Sequence, residues 1–163
     1  MAKCGCGNQV ATTGNKLPAG ARVFVLSGAS RQGKSTTLNK LADYVASQSG
    51  WSHVAGPNPP VVGSPDHKYV FENKRRSIKV GISTAGDGAK QIKDGFSYFR
   101  ANNCHVCFIA SKTSGIAIRH IEQECFNDNI VPQYQFLHGE YSPNWRNQIK
   151  VQADVVEQLF SLI

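Results

Sequence analysis

The sequence predicts one α/β domain, a three-layer α/β/α sandwich built on a mostly parallel sheet. Three observations carry this. Short, nearly continuous apolar runs at 22–27 and 105–110 read as strands buried on both faces. Stretches with helical spacing alternate with the strand patterns, which places helices against a parallel sheet. At 163 residues and 40% hydrophobic, the chain can bury one sizeable core and is short for two. Residues 1–20, "MAKCGCGNQVATTGNKLPAG", read as a flexible leader, and 21–163 as the domain.

In order, the run at 22–27 is followed by Leu38, Leu41, Ala42 and Val45 at helical spacing, with Gly50 as a stop. Residues 50–67 hold four of the seven prolines and no clear period, so they read as an irregular excursion. Two apolar runs around Asn73 to Arg76, with Ile78, Val80 and Ile82 alternating, predict a β-hairpin. Ile92, Phe96 and Phe99 mark a second helix, and Ile118, Ile121 and Cys125 a third at about 115–128. Between them lies the buried strand at 105–110. A weaker strand near Gln133 to Leu137 follows Pro132, which suits a strand start or an edge. The last helix begins near Pro143 with Ser142 as N-cap, and is apolar at Trp145, Ile149, Val156, Phe160 and Ile163.

No run approaches the roughly 20 apolar residues that span a bilayer, and the first 20 residues lack the apolar middle of a signal peptide. The expectation is a cytoplasmic protein with no membrane partner. Five cysteines, an odd number, fit reduced thiols. Cys4, Cys6, Cys104 and Cys107 could be imagined around one zinc ion, but two residues three apart on a strand point to opposite faces, which favours apolar packing. The net charge of +7 favours anionic partners, nucleotide or nucleic acid. Its sharpest cluster is Lys74, Arg75 and Arg76, with Lys68 and Lys79 nearby, and a solvated turn explains it equally well.

The chemistry is concentrated after the first strand. Gly28-Ala29-Ser30-Arg31-Gln32-Gly33-Lys34-Ser35 matches G-x-x-x-x-G-K-[ST] at every defined position. Two glycines let the backbone curl so that successive N–H groups face phosphate oxygens, and the following helix adds its positive end. Lys34 would reach the β and γ phosphates, the Ser35 hydroxyl would bind Mg²⁺, and Thr36 would steady the helix start or touch an α-phosphate. A buried strand before the pattern and a periodic helix after it are the context this chemistry requires.

By these residues the chain resembles the P-loop NTPase superfamily, firmly over 21–45 and in element order across most of the rest. The resemblance implies a P-loop fold that binds a nucleoside triphosphate with Mg²⁺. Such proteins usually carry an aspartate at the end of a neighbouring strand, where this chain has Ser83; its next carboxylate is Asp87. Asp87 either serves the metal shell or the attacking nucleophile, or caps the helix beginning near Gly88. Asp66 is a reserve candidate.

The segment Ser83-Thr84-Ala85-Gly86-Asp87 also resembles the D-T-A-G segment of Ras-like GTPases, a resemblance that implies γ-phosphate-sensing positions at Thr84 and Gly86. The guanine-reading N-K-x-D motif is missing, its nearest counterpart being Ser111-Lys112-Thr113-Ser114, so ATP is favoured over GTP. Comparison with small P-loop kinases offers Arg31, Arg119 and His120 as charge-stabilising cations; a solvated helix face is the simpler reading of the last two. Three functions follow. One is an ATP hydrolase or kinase in which Lys34, Arg31 and Asp87 act on the phosphoryl group and the 51–67 loop holds a small or nucleotide acceptor. The others are a nucleotide-dependent switch and a nucleic-acid-associated ATPase that uses the basic hairpin.

Overall fold

The structure, a computed structural model, describes residues 16–28, 33–59, 66–112, 115–136 and 145–163, with backbone alone at 136 and 145–152. Six strands, β1 (Arg22–Ser27), β2 (Ser52–Ala55), β3 (Lys68–Asn73), β4 (Ile78–Ser83), β5 (Val106–Ser111) and β6 (Gln133–Phe136), form one mixed sheet in the order β2-β3-β4-β5-β1-β6. β4, β5, β1 and β6 run parallel, while β2 and β3 are joined antiparallel at one side. Four helices complete the described elements: α1 (Lys34–Ser47), α2 (Ala89–Ala101), α3 (Ile116–Asn127) and α4 (Trp145–Ser161).

Strand alternation distributes the core between two faces. Phe24 and Leu26 of β1, with Val80, Ile82, Phe108 and Ala110, pack against Leu38, Leu41 and Val45 of α1 and Val156 and Leu159 of α4. Val23 and Val25, with Cys107 and Ile109, meet Ile92, Phe96 and Phe99 of α2 and Ile121 and Cys125 of α3. One helix pair thus covers each face, and the central strands are apolar on both sides for that reason. The apolar positions that predicted α1 and α2 are fully buried.

Three expectations change. Residues 52–55, read as irregular, form the edge strand β2, paired to β3 with a register shift between His53 and Ala55. Its burial alternates exposed and half-buried, so a one-sided edge carries too little apolar content to announce itself. Cys104 and Cys107 do not diverge: both lie in the core beneath α2 and α3. The period of two fails there because Cys104 precedes β5. The packed body also begins before residue 21, since Leu17 is buried and its N–H donates to Asp128 Oδ2 at 3.1 Å. Cys4, Cys6, Ser142 and Pro143 lie outside the described residues. Among the described residues, no His/Cys/Asp/Glu group could hold a metal ion and no helix is long and apolar enough to cross a membrane.

Candidate functional site

β1 delivers the chain to the carboxyl edge of the sheet, where open α/β sheets hold their ligands. Gly28 is buried, and its N–H donates to the Ser111 carbonyl of β5 at 3.3 Å. Ala29, Ser30, Arg31 and Gln32 lie outside the described residues. The chain continues at Gly33, whose φ of 80° is left-handed, a conformation that disfavours any residue with a Cβ. Gly33 is the N-cap of α1 and supplies no side-chain cap. The first-turn N–H groups and the positive end of the helix are therefore left without a side-chain cap.

Lys34, only 8% exposed, reaches back to the end of β1: Nζ donates to the Gly28 carbonyl at 2.6 Å. Burial lowers its pKa from the ordinary lysine value, Asp87 acts to raise it, and Lys112 lowers it further. The next residue, Ser35, faces the end of β4. Its Oγ donates to the Thr84 carbonyl at 3.1 Å and lies 3.4 Å from Asp66 Oδ1. Thr84 Oγ1 lies 3.4 Å from the same carboxylate oxygen.

The hairpin explains this convergence. Lys68 pairs with Ser83 in the β3–β4 register, and the ladder continues one step further. His67 N–H donates to Thr84 Oγ1 at 2.8 Å, and Thr84 N–H donates to the His67 carbonyl at 3.0 Å. Asp66 follows directly, so the reserve carboxylate of the long loop is the one delivered to Ser35. Counting outward from the Asn73–Ile78 pair would have placed residue 67 opposite Thr84, which is the signal that sequence reasoning left unused.

Asp87 is exposed and does not cap α2: the N-cap is Gly88, with no side-chain cap bond. Its electrostatic partner is Lys34. Gly86 is pressed against β5, where a Cβ would run into the Ala110 carbonyl. Ser83, in place of the usual strand-end aspartate, is fully buried, and its Oγ has no hydrogen-bond partner among the described residues. A Cβ at Gly95 of α2 would lie 3.1 Å from that Oγ. Position 83 thus faces α2, with room for a hydroxyl and little for a carboxylate.

Other candidates lie apart from this group. Arg119 is exposed in the first turn of α3 and His120 is half-buried; neither takes part in the bonds that gather Ser35, Asp66 and Thr84. The basic turn at 74–77 precedes β4, whereas Thr84 follows it, so the two are separated by the length of that strand, roughly 17–20 Å. Arg76 is already engaged, its Nη2 donating to the Ile163 carbonyl at 2.7 Å.

Fold and site together define an α/β protein whose mixed sheet gathers a buried lysine, two hydroxyls and a carboxylate at its carboxyl edge. Neither protein-family models, curated proteins nor solved structures give a match to the chain.

Proposed function

We propose that this chain has a P-loop NTPase fold and binds ATP, in preference to GTP, with Mg²⁺ at the carboxyl edge of the sheet. There it hydrolyses the nucleotide or transfers its terminal phosphoryl group to a small acceptor. The observation that carries this reading is the Lys34 ammonium held 2.6 Å from the Gly28 carbonyl, across a loop that enters α1 through a left-handed glycine. On binding, phosphate oxygens take over the ammonium that Gly28 now holds, and the first-turn N–H groups of α1 supply further donors.

Asp66 Oδ1 lies 3.4 Å from Ser35 Oγ and 3.4 Å from Thr84 Oγ1. All are hard oxygen donors of the kind magnesium takes together with water and phosphate. They fit that ion, and Asp66 fills the place expected of Asp87. Bound magnesium would neutralise charge developing on the phosphoryl oxygens. Asp87, on the Lys34 side, is then free to orient the attacking nucleophile, while Arg31 retains the charge-stabilising role implied by its place in the loop.

A thermal-shift panel of ATP, GTP, ADP and GDP with Mg²⁺, run on the wild type and Lys34→Ala, tests the reading. ATP at a hundredfold excess over Kd should add about 2.7 kcal/mol to the wild type, and the variant should lose most of this. Stabilisation by no triphosphate overturns the proposal. ADP release with and without acceptor separates hydrolysis from transfer.

A further inference from the structure

We propose that Lys112 is a second phosphate-binding cation, which contacts the terminal phosphoryl group of the bound triphosphate alongside Lys34. This rests on the nucleotide reading above and extends it to a residue whose segment the sequence reading treated only as a failed guanine motif.

The strand order places it there. β5 lies between β1 and β4, and its last residue, Ser111, is the register partner of Ser27, the last residue of β1. Gly28 N–H donates to the Ser111 carbonyl at 3.3 Å, so Gly28 and Lys112 leave the sheet side by side. Two buried hydroxyls then fix the Lys112 backbone: Ser111 Oγ donates to its carbonyl at 2.9 Å, and Ser27 Oγ to the same oxygen at 3.3 Å. Residue 112 itself is exposed. An accessible ammonium is therefore carried on an anchored piece of main chain next to the residue that Lys34 touches.

The charges agree with this placement. Lys112 lies near enough to Lys34 to disfavour its protonated form, and Asp87 is the carboxylate that acts against that repulsion. Lys112 thus brings a second ammonium to the edge where Lys34 lies, which suits an anion there. Direction along the phosphate chain follows from Ser35, whose hydroxyl points to Thr84 at the end of β4. The Lys34–Ser35 end of the cradle, where β and γ phosphates belong, thus faces the side of β1 on which β5 and Lys112 stand.

The test compares ATP and ADP affinity, both with Mg²⁺ at one ionic strength, in wild type, Lys112→Met, Lys112→Gln and Lys112→Arg. Loss of one charge-assisted hydrogen bond should weaken ATP about tenfold or more in the Met and Gln variants, with ADP altered less than about twofold. Lys112→Arg should retain most of the ATP preference. Equal losses for the two nucleotides, or no loss, overturn the inference while leaving the nucleotide reading intact. A wild type that binds neither nucleotide overturns both. The side chain is exposed and its carbonyl is the anchored group, so the variants should melt within a few degrees of the wild type without ligand. A large drop in both neutral variants would show Lys112 to be structural and would overturn the inference.

Discussion

The two edges of the sheet each gather charge, and they do so differently. At the amino edge, Arg100 of α2 pairs with Glu124 of α3 at 2.8 Å and with Asp128 at 3.0 Å. Asp128 Oδ2 also accepts from the Leu17 N–H. Burial works against the guanidinium charge, but the hydrogen bonds to Asp128 and Glu124 outweigh it and hold the pKa up. At the carboxyl edge, Lys34 bonds to a backbone carbonyl, and its electrostatic neighbours are one exposed carboxylate and a second lysine. The first cluster satisfies its charges internally and joins two helices to the start of β1. The second sets Lys34 and Lys112 with Asp87, and Asp66 at the neighbouring Ser35, where β1 leads into the glycine motif. Similar residue types therefore form a clamp at one edge, where buried charges pair with one another, and at the other edge meet backbone carbonyls and hydroxyls.

The contrast is sharpest when the clamp is broken. Arg100→Met leaves Asp128, whose side chain is only 2% exposed, buried without its cation. Denaturant titration should show a loss of about 3–5 kcal/mol, with the nucleotide-dependent part of the remaining stability unchanged. A loss below 1 kcal/mol would mean that the clamp contributes little.

Gly86→Ala sets a Cβ against the Ala110 carbonyl and should cost about 1–3 kcal/mol in the same titration. It should also weaken ATP binding, because the 84–87 loop must shift. A variant as stable as the wild type would show that this loop yields freely, as a nucleotide-dependent switch requires.

The pH dependence separates the edges further. The folded pKa of Lys34 lies below the ordinary 10.5, with burial the main cause, so in the window between the two values the unfolded chain binds more protons. Unfolding free energy attributable to Lys34 should therefore rise with pH through that window and level off above 10.5. Lys34→Met should remove this rise, seen as a flatter difference curve from urea titrations across the alkaline range. A curve that falls with pH would reverse the assigned sign.

The smallest effect on stability belongs to Asp66→Asn. The residue is exposed, so ligand-free stability should stay within about 0.5 kcal/mol, while the Mg²⁺-dependent part of the ATP thermal shift should fall. An unchanged magnesium increment would return the carboxylate role to Asp87.

Much of the fold was readable from local pattern. Leu38, Leu41, Ala42 and Val45 identify α1, and Ile92, Phe96 and Phe99 identify α2, because a helix repeats its buried face every three to four residues. β1 and β5 were evident because a strand covered on both faces needs apolar side chains at consecutive positions. β2 was not, since a short edge strand covered on one side can be assembled from Ser, His, Val and Ala. Within the site, Gly33, Lys34 and Ser35 were legible as a contiguous motif. Asp66 was visible as a residue but not as a partner of Ser35, 31 positions away, because that meeting depends on hairpin register. Ser83 was visible as a departure without a reason until Gly95 was seen packed against it.

The sequence by itself determined the strand, the glycine-bounded loop and the helix that carry Lys34 and Ser35, because burial periodicity and backbone freedom are written in neighbouring residues. Only the tertiary structure decided which strands lie side by side. By inserting β5 between β1 and β4 it set Lys112 beside Gly28, and by extending the β3–β4 ladder through His67 and Thr84 it brought Asp66 to Ser35. Those choices belong to the sheet as a whole: each strand presents compatible edges and faces to several neighbours, and only their joint packing against the two helix pairs selects one order.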